Sequence, residues 1–420
     1  MNILLYRYGS ICEPDILESF QRIGLTVIEE KTEITQKSIS NAQRVQLVEK
    51  AIKNHNPIFV FSINFYPAIA EICQIYQTPY FCWTVDSPVP ELFSESICRR
   101  TNRIFLFDAA QYRRFAPYNP NCIFHLPLAS ATERFDKVIA TITDMDHKKY
   151  ANDIAFIGSL YNEKSPLAKL PDLSDYGRGY LDALEGSSLK VYGCNFVEEA
   201  LDEKIVKEVK TLSPNFFDPG KAIAPSDNYV TAHSYVGMEI AVKERILTIE
   251  TLAKYFPVDL YTKSDTSVFD AKCLVSTKFM ATEQSIHGSG ISSSNIGLRL
   301  HGGVASLTEM PKIFHLSRIN LNMTIKPIME GLPLRIFDIL GCGGFCMTNY
   351  QAELPELFEI GHDLEAYSSL EELVEKCDYY LNHEDERRKI AENGYRKVCE
   401  RYTYYHRINE MLSKGLSPDH

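Results

Sequence analysis

Short apolar segments alternate with amphipathic segments along the first third of this 420-residue chain. Fully apolar runs predict strands, and runs with hydrophobic residues three or four positions apart predict helices. The predicted strands are residues 3–8, 25–30, 58–63, 80–85 and 103–107, and the predicted helices are residues 14–23, 42–54 and 67–76. This alternation predicts a parallel sheet that is covered by helices on both faces.

A polar stretch without a strand pattern, residues 136–150, precedes a second unit of the chain. The second unit opens with the apolar run at residues 154–157, passes through a mostly helical region at about residues 165–256, and returns to alternating strands and helices from Gly297. The predicted fold class is therefore α/β, with two Rossmann-like, doubly wound domains and a helical insertion. The expected domains are an N-terminal one over residues 1–148 and a C-terminal one over residues 149–401, followed by a last helix at about residues 402–420.

The composition is that of an ordinary soluble globular protein, with 45% hydrophobic and 24% charged residues. The formal net charge of −11 argues against a general nucleic-acid binder, because nothing would offset repulsion by the phosphates. A small phosphorylated ligand needs only one local positive site and is compatible with this charge. The sequence contains no apolar run of about 18 residues, so no membrane span is predicted. Its first residues are typical of a strand rather than of a signal peptide.

Eleven cysteines are dispersed from Cys12 to Cys399 without a C-x-x-C pair. An odd, dispersed set of this kind predicts reduced thiols and a cytoplasmic protein. Cys342 and Cys346 are close in sequence, but no cluster of His or Cys follows them, so zinc is not expected. We predict neither a bound metal nor a cofactor.

The segment from Glu330 to Gly344 is the most informative part of the sequence. It places Glu330 and Asp338 around Arg335 on a predicted helix that begins near a proline and ends in Gly343 and Gly344. The fork of an arginine suits a diphosphate, loop N–H groups and a helix N-terminus face its oxygens, and an acid takes the ribose hydroxyls. An internal helix ion pair is the alternative, but we favour a sugar-nucleotide site because strands flank the segment on both sides.

Other loops that follow predicted strands supply further candidates for the same ligand. Gly158 and Ser159 end a strand and are candidate phosphate contacts through their backbone. Gly302 and Gly303 follow a strand and are expected to border the base, whereas the neighbouring His301 is more often structural in such a position. Lys263 follows a strand and reaches either a phosphate or solvent, and the sequence does not decide between the two.

The strongest candidate in the first unit is Asp86, which follows a strand that also contains the only Trp of the chain. Ligand clefts form at the carboxyl ends of such strands, so Asp86 is a candidate general base that deprotonates an acceptor hydroxyl. An aspartate that caps the next helix is an equally good interpretation of the pattern. Asn64 ends the preceding strand and is expected beside Asp86 at the same edge.

These motifs together resemble the glycosyltransferases related to the spore-maturation protein CgeB, which belong to the two-domain GT-B superfamily. The resemblance rests on residues 301–303, 319–322, 331–338, 343–345, 379–381 and 387–394, with residues 61–65, 83–88 and 156–161 similar to regions often fused to that module. It implies a bacterial protein whose C-terminal domain binds the sugar nucleotide and whose N-terminal domain binds the acceptor. It also implies that the last helix crosses back to the N-terminal domain and that no metal is needed.

The same resemblance assigns roles to two acids with the family's spacing. Related retaining enzymes carry two glutamates at the positions of Glu330 and Asp338, and the second contacts the ribose. Aspartate is one methylene shorter, so this contact requires a closer backbone approach here. Arg335 is expected to neutralise the leaving diphosphate, with Asp86 as the base of an inverting reaction or as an orienting group in a retaining one.

The predicted function is that of a metal-independent glycosyltransferase of the hexosyl or N-acetylhexosaminyl type. It moves a sugar from a nucleoside-diphosphate donor, UDP by family frequency, to a hydroxyl of a protein, polysaccharide or small molecule. A GT-B-shaped sugar-nucleotide epimerase and a non-catalytic sugar-nucleotide-binding subunit remain alternatives. The amphipathic helices permit a homodimer, and the sequence names neither the sugar, the acceptor nor the stereochemistry.

Overall fold

The structure is a computed structural model that describes residues 1–270, 273–274 and 296–416. The N-terminal strands are β1 (Asn2–Tyr6), β2 (Thr26–Glu30), β3 (Val60–Ile63), β4 (Tyr80–Trp83), β5 (Asn102–Leu106) and β6 (Ile123–His125). The helices of this half are α1 (Glu13–Arg22), α2 (Thr32–Thr35), α3 (Asn41–His55), α4 (Pro67–Tyr76), α5 (Ala109–Phe115), α6 (Thr132–Ile139) and α7 (Asp144–Tyr150).

The second half of the chain contributes an equal number of described strands. They are β7 (Ile154–Ile157), β8 (Pro257–Tyr261), β9 (Gly297–His301), β10 (Ile319–Asn322), β11 (Cys346–Asn349) and β12 (Glu365–Tyr367). The helices are α8 (Asp175–Ser188), α9 (Val197–Ala200), α10 (Glu203–Leu212), α11 (Asp227–Tyr229), α12 (Gly237–Ala253), α13 (Met310–Leu316), α14 (Leu334–Gly341), α15 (Leu354–Leu357), α16 (Leu370–Asn382), α17 (Glu384–Arg401) and α18 (Tyr404–Gly415). Residues 417–420 of the predicted last helix lie outside the described part.

The strands form two separate parallel sheets, in the orders β2-β1-β3-β4-β5-β6 and β12-β11-β10-β7-β8-β9. Every residue of β3, β4 and β7 is buried, as expected for strands that are covered on both faces. Strand order reverses between β1 and β3 in the first sheet and between β7 and β10 in the second. Ligands of doubly wound sheets bind outside the carboxyl ends of the strands at such reversals. The predicted fold class, two doubly wound α/β domains, is confirmed.

Helices α8 to α12 lie between β7 and β8 and pack against the N-terminal domain. The Tyr229 ring lies 4.9 Å from the Phe93 ring, measured between centroids. Two backbone hydrogen bonds also cross, from Ile223 N to Phe93 O at 2.9 Å and from Glu95 N to Lys221 O at 2.9 Å. The insertion therefore ties the C-terminal half of the chain to the N-terminal domain.

The last helix, α18, also returns to the N-terminal domain. Arg103 Nε donates to Gly415 O at 2.8 Å, and the Tyr404 ring lies edge-on to Trp83 with 6.0 Å between centroids. Earlier in the same crossing, Ser130 N donates to Tyr402 O at 2.8 Å. In the described part of the chain, no helix is both long and apolar enough to span a bilayer.

The two domains meet along the carboxyl ends of their strands. Met329 N donates to Asp108 Oδ2 at 2.7 Å, and Ser87 Oγ donates to Pro327 O at 2.7 Å. Gly331 approaches Asp108 so closely that a Cβ at position 331 would lie 2.9 Å from the Asp108 Cα. Glycine is therefore needed at this contact, which brings the start of α14 against the N-terminal domain.

Candidate functional site

A cavity of about 290 Å³ lies between the two domains at the strand-order reversal of the second sheet. Its walls are residues 85–87 after β4, Gly158, Ser159 and Tyr161 after β7, residues 322–325 after β10, residues 333–335 at the start of α14, and Arg245 of α12. Both domains contribute to it. A ligand in this cavity would touch the first loop of the second sheet and a strand end of the first sheet at once.

The loop after β10 is fixed by buried side-chain hydrogen bonds. Thr324 N donates to Asn349 Oδ1 at 2.7 Å, and Asn349 Nδ2 donates back to Thr324 O at 3.0 Å. Asn322 Nδ2 also donates to Thr348 Oγ1 at 2.8 Å. These polar groups are buried and mutually satisfied, so the wall that they build is rigid and pre-organised.

Arg245 is a buried cation in the cavity wall. Its Nη1 donates to Ser159 O and its Nη2 to Met323 O at 2.9 Å, so the guanidinium bridges the loops after β7 and β10. It lies 4.5 Å from the Tyr161 ring centroid. Among the described residues, no carboxylate lies within ion-pairing distance of it, and its Nε has no hydrogen-bond partner. Burial lowers the pKa of Arg245, and the charge of the neighbouring, buried Glu244 opposes this shift without outweighing it.

Arg335 enters the cavity from the first turn of α14. Its guanidinium lies 5.3 Å from the Phe314 ring centroid and 3.7 Å from Asp338 Oδ2. Asp338 is almost completely buried behind it and does not line the cavity. Burial raises the pKa of Asp338 to about 6, although the charges of Arg335 and Arg134 oppose the rise. The predicted ribose contact of Asp338 thus requires a shift of the structure. Arg335 lines the cavity, but its guanidinium is held against Met310, Phe314 and Asp338.

Asp86 is exposed at the cavity and is held by Asn64. Asn64 Nδ2 donates to Asp86 Oδ2 at 2.7 Å and to the Tyr8 hydroxyl at 3.3 Å, while its Oδ1 accepts from Val85 N at 3.0 Å. Asn64 adopts a φ of 60°, in the left-handed region where Asn is tolerated better than most residues. The short helix that follows Asp86 has no side-chain cap. The carboxylate is therefore available to a ligand rather than used as a cap.

The loop after β1 carries an anion-binding arrangement that the protein fills itself. The N–H groups of Tyr8, Gly9 and Ser10 all donate to Glu13 Oε1, at 2.8, 2.8 and 3.1 Å. Gly9 has a φ of +95°, which aims successive N–H groups at one point. Glu13 is 1% exposed, and its Oε2 accepts from Arg7 Nε at 2.8 Å. This position is occupied by an internal carboxylate.

Three predicted ligand residues lie at the same sheet edge but outside the cavity lining. Lys263 follows β8 and is exposed, and Gly302 and Gly303 follow β9. Gly303 packs directly on the aliphatic stem of Lys263. His301 pairs with the buried Asp259, with 2.8 Å between Nε2 and Oδ1. The structure thus shows a structural partner for His301.

Glu330 does not point into the cavity either. Its carboxylate forms an ion pair with Arg113 of the N-terminal domain. Because the two groups belong to different domains, Glu330 in this arrangement contributes to the domain interface.

Gly343 and Gly344 correct one expectation. They connect α14 to the start of β11, and in a parallel α/β sheet such loops lie at the edge opposite the strand carboxyl ends. Gly343 lines a separate cavity with His315 and Arg387. A Cβ on Gly344 would lie 2.5 Å from Phe314 O, so this glycine is needed for close packing. The structure therefore places these two residues outside the interdomain cavity, away from the other predicted diphosphate contacts.

Sequence reasoning missed Arg245, Tyr8 and Glu13. Arg245 opens a helical pattern at residues 245–255 whose apolar spacing was evident, but spacing alone does not indicate that a charged residue is buried. The signal for Glu13 was a glycine four residues before an acid at a helix start, in a strand–loop–helix context. Within the described ranges, no group of three or more His, Cys, Asp or Glu side chains is arranged to hold a metal ion.

Comparison with protein families gives one match, and comparison with curated proteins gives none. Residues 278–413 match the family described as Glycosyl transferase-like. This match covers the segment that contains Arg335 and Asp338. The loop after β7 and the whole N-terminal domain lie outside the matched residues.

Solved structures are similar to the chain over nearly its whole length. A glycosyltransferase from Rickettsia africae ESF-5 has a TM-score of 0.52 and 12% identity, with 99% of each chain covered. Anabaena HepE in complex with UDP and glucose has a TM-score of 0.51 and 13% identity, covering 98% of this chain and 99% of HepE. Sucrose-phosphate synthase from Thermosynechococcus elongatus has a TM-score of 0.54 and 10% identity, covering 98% and 97%.

At these identities the matches establish the fold alone. The chain has the two-domain fold of the GT-B glycosyltransferases. Its C-terminal part, from residue 278 to residue 413, is glycosyltransferase-like in sequence as well.

Proposed function

We propose that this protein is a glycosyltransferase that transfers a hexosyl or N-acetylhexosaminyl group from a UDP-sugar to an acceptor hydroxyl. The donor diphosphate occupies the interdomain cavity, and the acceptor approaches from the side of Asp86. The fold and the family match of residues 278–413 support this class of reaction, and the UDP and glucose held by HepE support the donor. We place the chain, within this class, among the CgeB-like enzymes of the bacterial cytoplasm.

The observation that carries the proposal is the charge of the cavity. Arg245 and Arg335 both line it, and Arg245 has no carboxylate partner among the described residues. A buried guanidinium without a counter-ion is costly unless a ligand supplies the opposite charge. A diphosphate does so with oxygens that match the arginine fork. We propose that these arginines replace a divalent cation as the countercharge for the leaving group.

The N-terminal domain supports the same division of roles. Its first loop would offer three N–H groups to a phosphate, but Glu13 already occupies them. A second negative charge at that point would be repelled by the Glu13 carboxylate. The donor diphosphate therefore belongs to the C-terminal domain, and the N-terminal domain is left for the acceptor.

The chemistry follows from the positions of Asp86 and Arg335. The acceptor oxygen bonds to the anomeric carbon as the bond from that carbon to the diphosphate oxygen breaks. In an inverting reaction Asp86 takes the acceptor proton; in a retaining reaction the leaving phosphate takes it, and Asp86 orients the hydroxyl. Arg335 and Arg245 stabilise the charge that develops on the diphosphate.

The test is thermal stabilisation by UDP, GDP, TDP and CMP, because a ligand that binds the native state raises its melting temperature. Wild type is compared with Arg335→Ala, Arg245→Gln and the surface control Arg396→Ala, whose side chain lies on α17 outside the interdomain cavity. We expect a shift with UDP that the first two variants lose and the control keeps. The absence of a shift with every nucleotide would overturn the proposal.

A further inference from the structure

We propose that the acceptor is an uncharged carbohydrate whose ring stacks on Tyr8 while one hydroxyl binds Asp86. This inference rests on the proposed function and names the substrate class for its acceptor side. Two observations support it: aromatic side chains surround Asp86, and the arginines near it in the N-terminal domain are already paired with glutamates.

Tyr8 and Asp86 are fixed next to each other by one amide. Asn64 Nδ2 donates to the Asp86 carboxylate at 2.7 Å and contacts the Tyr8 hydroxyl at 3.3 Å. Asp86 lines the interdomain cavity, whereas Tyr8 does not. The donor sugar, with its anomeric carbon, lies in the cavity in the proposed function. In the arrangement that we propose, an acceptor that places a hydroxyl on Asp86 extends its ring away from the donor, toward Tyr8.

Tyr8 is held rigidly enough to act as a platform. Its backbone N–H donates to Glu13 at 2.8 Å. Behind it lies Tyr66, at 6.4 Å between ring centroids and edge-on, and Arg44 lies 4.7 Å from the Tyr66 ring. An aromatic side chain with an apolar face and a polar tip suits a sugar ring, which has C–H faces and hydroxyl edges. Its fixed position lowers the ordering cost of binding.

The charges at this edge do not favour an anionic acceptor. Arg7 pairs with Glu13 and Glu29, and Arg44 pairs with Glu33. The N–H groups of the β1 loop are filled by the Glu13 carboxylate, and Asp86 adds an exposed negative charge. A phosphorylated acceptor would meet this negative charge while the two cations of the cavity, Arg245 and Arg335, are engaged by the donor diphosphate. Like charges disfavour binding.

Lys37 is the exception to this pattern and provides the sharpest control. It is exposed and has no carboxylate within ion-pairing distance among the described residues, and its Nζ already binds Tyr8 O. An anionic acceptor would depend on Lys37, whereas a stacked neutral sugar depends on the ring of Tyr8. The variants Tyr8→Ala and Lys37→Met therefore separate the two chemistries.

The experiment measures binding of methyl glycosides of glucose, galactose, mannose and N-acetylglucosamine, and of the matching sugar 6-phosphates, to the UDP-saturated protein by NMR. Wild type, Tyr8→Ala, Tyr8→Phe and Lys37→Met are compared, and the melting temperature of each confirms that it is folded. We expect at least one neutral glycoside to bind, with affinity about tenfold lower in Tyr8→Ala and nearly unchanged in Tyr8→Phe and Lys37→Met.

Three results would overturn the inference: tighter binding of a sugar phosphate than of its neutral parent, equal binding by wild type and Tyr8→Ala, or no binding by either class of sugar. UDP binding is measured in the same samples before any sugar is added. If the wild type does not bind UDP, this result would instead contradict the proposed function. The two failures are therefore distinguishable.

Discussion

The loops that follow the first strand of each sheet occupy equivalent places in two doubly wound domains and carry opposite charge. After β1, three backbone N–H groups converge on the Glu13 carboxylate. After β7, the backbone carbonyl of Ser159 accepts from Arg245, a buried cation with no carboxylate partner among the described residues. The first loop therefore binds an internal anion, and the second contacts an internal cation.

This difference shows how one fold can assign different ligands to its two halves. The strand order and the position of each loop are dictated by the doubly wound architecture. In the proposed function, two side chains that lie next to the loops, Glu13 and Arg245, decide which loop receives a phosphate. Fold comparison alone does not show this assignment, because both loops have the same backbone context.

The largest expected effect concerns Asp86, which lies between the two loops. Asp86→Asn should lower the rate of sugar transfer about 10²- to 10⁴-fold if the carboxylate accepts the proton. UDP affinity should be unchanged, because the asparagine side chain has the same shape as the aspartate and because Arg245 and Arg335, not Asp86, contact the diphosphate. Transfer assays and UDP titration on the same variant check this. An unchanged transfer rate would make Asp86 a structural residue.

A second prediction concerns removal of the Glu13 carboxylate from the loop after β1. Glu13→Ala removes the acceptor for three partly buried N–H groups and a partner of Arg7, so the free energy of unfolding should fall by about 2 kcal/mol. The vacated loop then resembles an anion site. Inorganic phosphate should raise the melting temperature of Glu13→Ala more than that of the wild type. Equal responses to phosphate would show that the loop is not an anion site when Glu13 is removed.

A third prediction concerns the insertion that carries α12 and Arg245. Glu198 accepts from Arg114 at 2.9 and 2.8 Å and contacts His233 Nε2 at 2.9 Å. Burial opposes its ionisation, but His233 and Arg114 outweigh burial and lower the pKa of Glu198 to about 2. Glu198→Gln should cost about 2 kcal/mol at pH 7, because it leaves the partly buried Arg114 guanidinium without its counter-ion and alters the hydrogen bond with the buried His233.

The pH dependence gives the control for that variant. A carboxyl with a depressed pKa in the folded state contributes stability above its unfolded value, and this contribution is lost as the pH falls toward the folded value. The difference in melting temperature between wild type and Glu198→Gln should therefore shrink between pH 5 and pH 3. A difference that stays constant over this range would contradict the role of the charge.

The smallest effect is expected at Asp338, whose pKa is raised in the folded state, whereas that of Glu198 is lowered. The pKa of Asp338 is raised to about 6 by burial, so the folded state binds the proton more tightly than the unfolded state. The native carboxylate thus costs stability as the pH rises through 4 to 6. Asp338→Asn should raise the free energy of unfolding by about 1–3 kcal/mol at pH 7.5 and have little effect at pH 4. Thermal melts at the two pH values check this, and destabilisation at pH 7.5 would contradict it.

The sequence predicted the two-domain α/β fold because buried parallel strands leave clear apolar runs. The predicted strand at residues 58–63 and the observed β3, Val60–Ile63, illustrate this. The short strands β6 and β12 were not predicted, since three residues give too little pattern. Asn64 and Asp86 were placed together correctly because both follow neighbouring strands at the same edge.

The differences between the predicted site and the structure have physical reasons. Gly343 and Gly344 follow a helix and precede a strand, so the order of elements places them at the sheet edge opposite the cleft. Burial of Arg245 and the use of Glu13 as an internal anion depend on contacts with loops far away in sequence. No local periodicity contains that information, because it depends on tertiary packing.

In the proposed function, Arg245 holds a diphosphate in the C-terminal domain, whereas the loop after β1 in the N-terminal domain does not. The most direct measurement is titration of UDP and of uridine into wild type, Arg245→Gln and Glu13→Gln. We predict that Arg245→Gln weakens UDP binding about 30-fold or more, as expected for lost charged hydrogen bonds, and leaves uridine binding unchanged. Glu13→Gln should bind both ligands as the wild type does. Equal weakening of UDP and uridine by Arg245→Gln, or a loss of UDP binding in Glu13→Gln, would contradict the account.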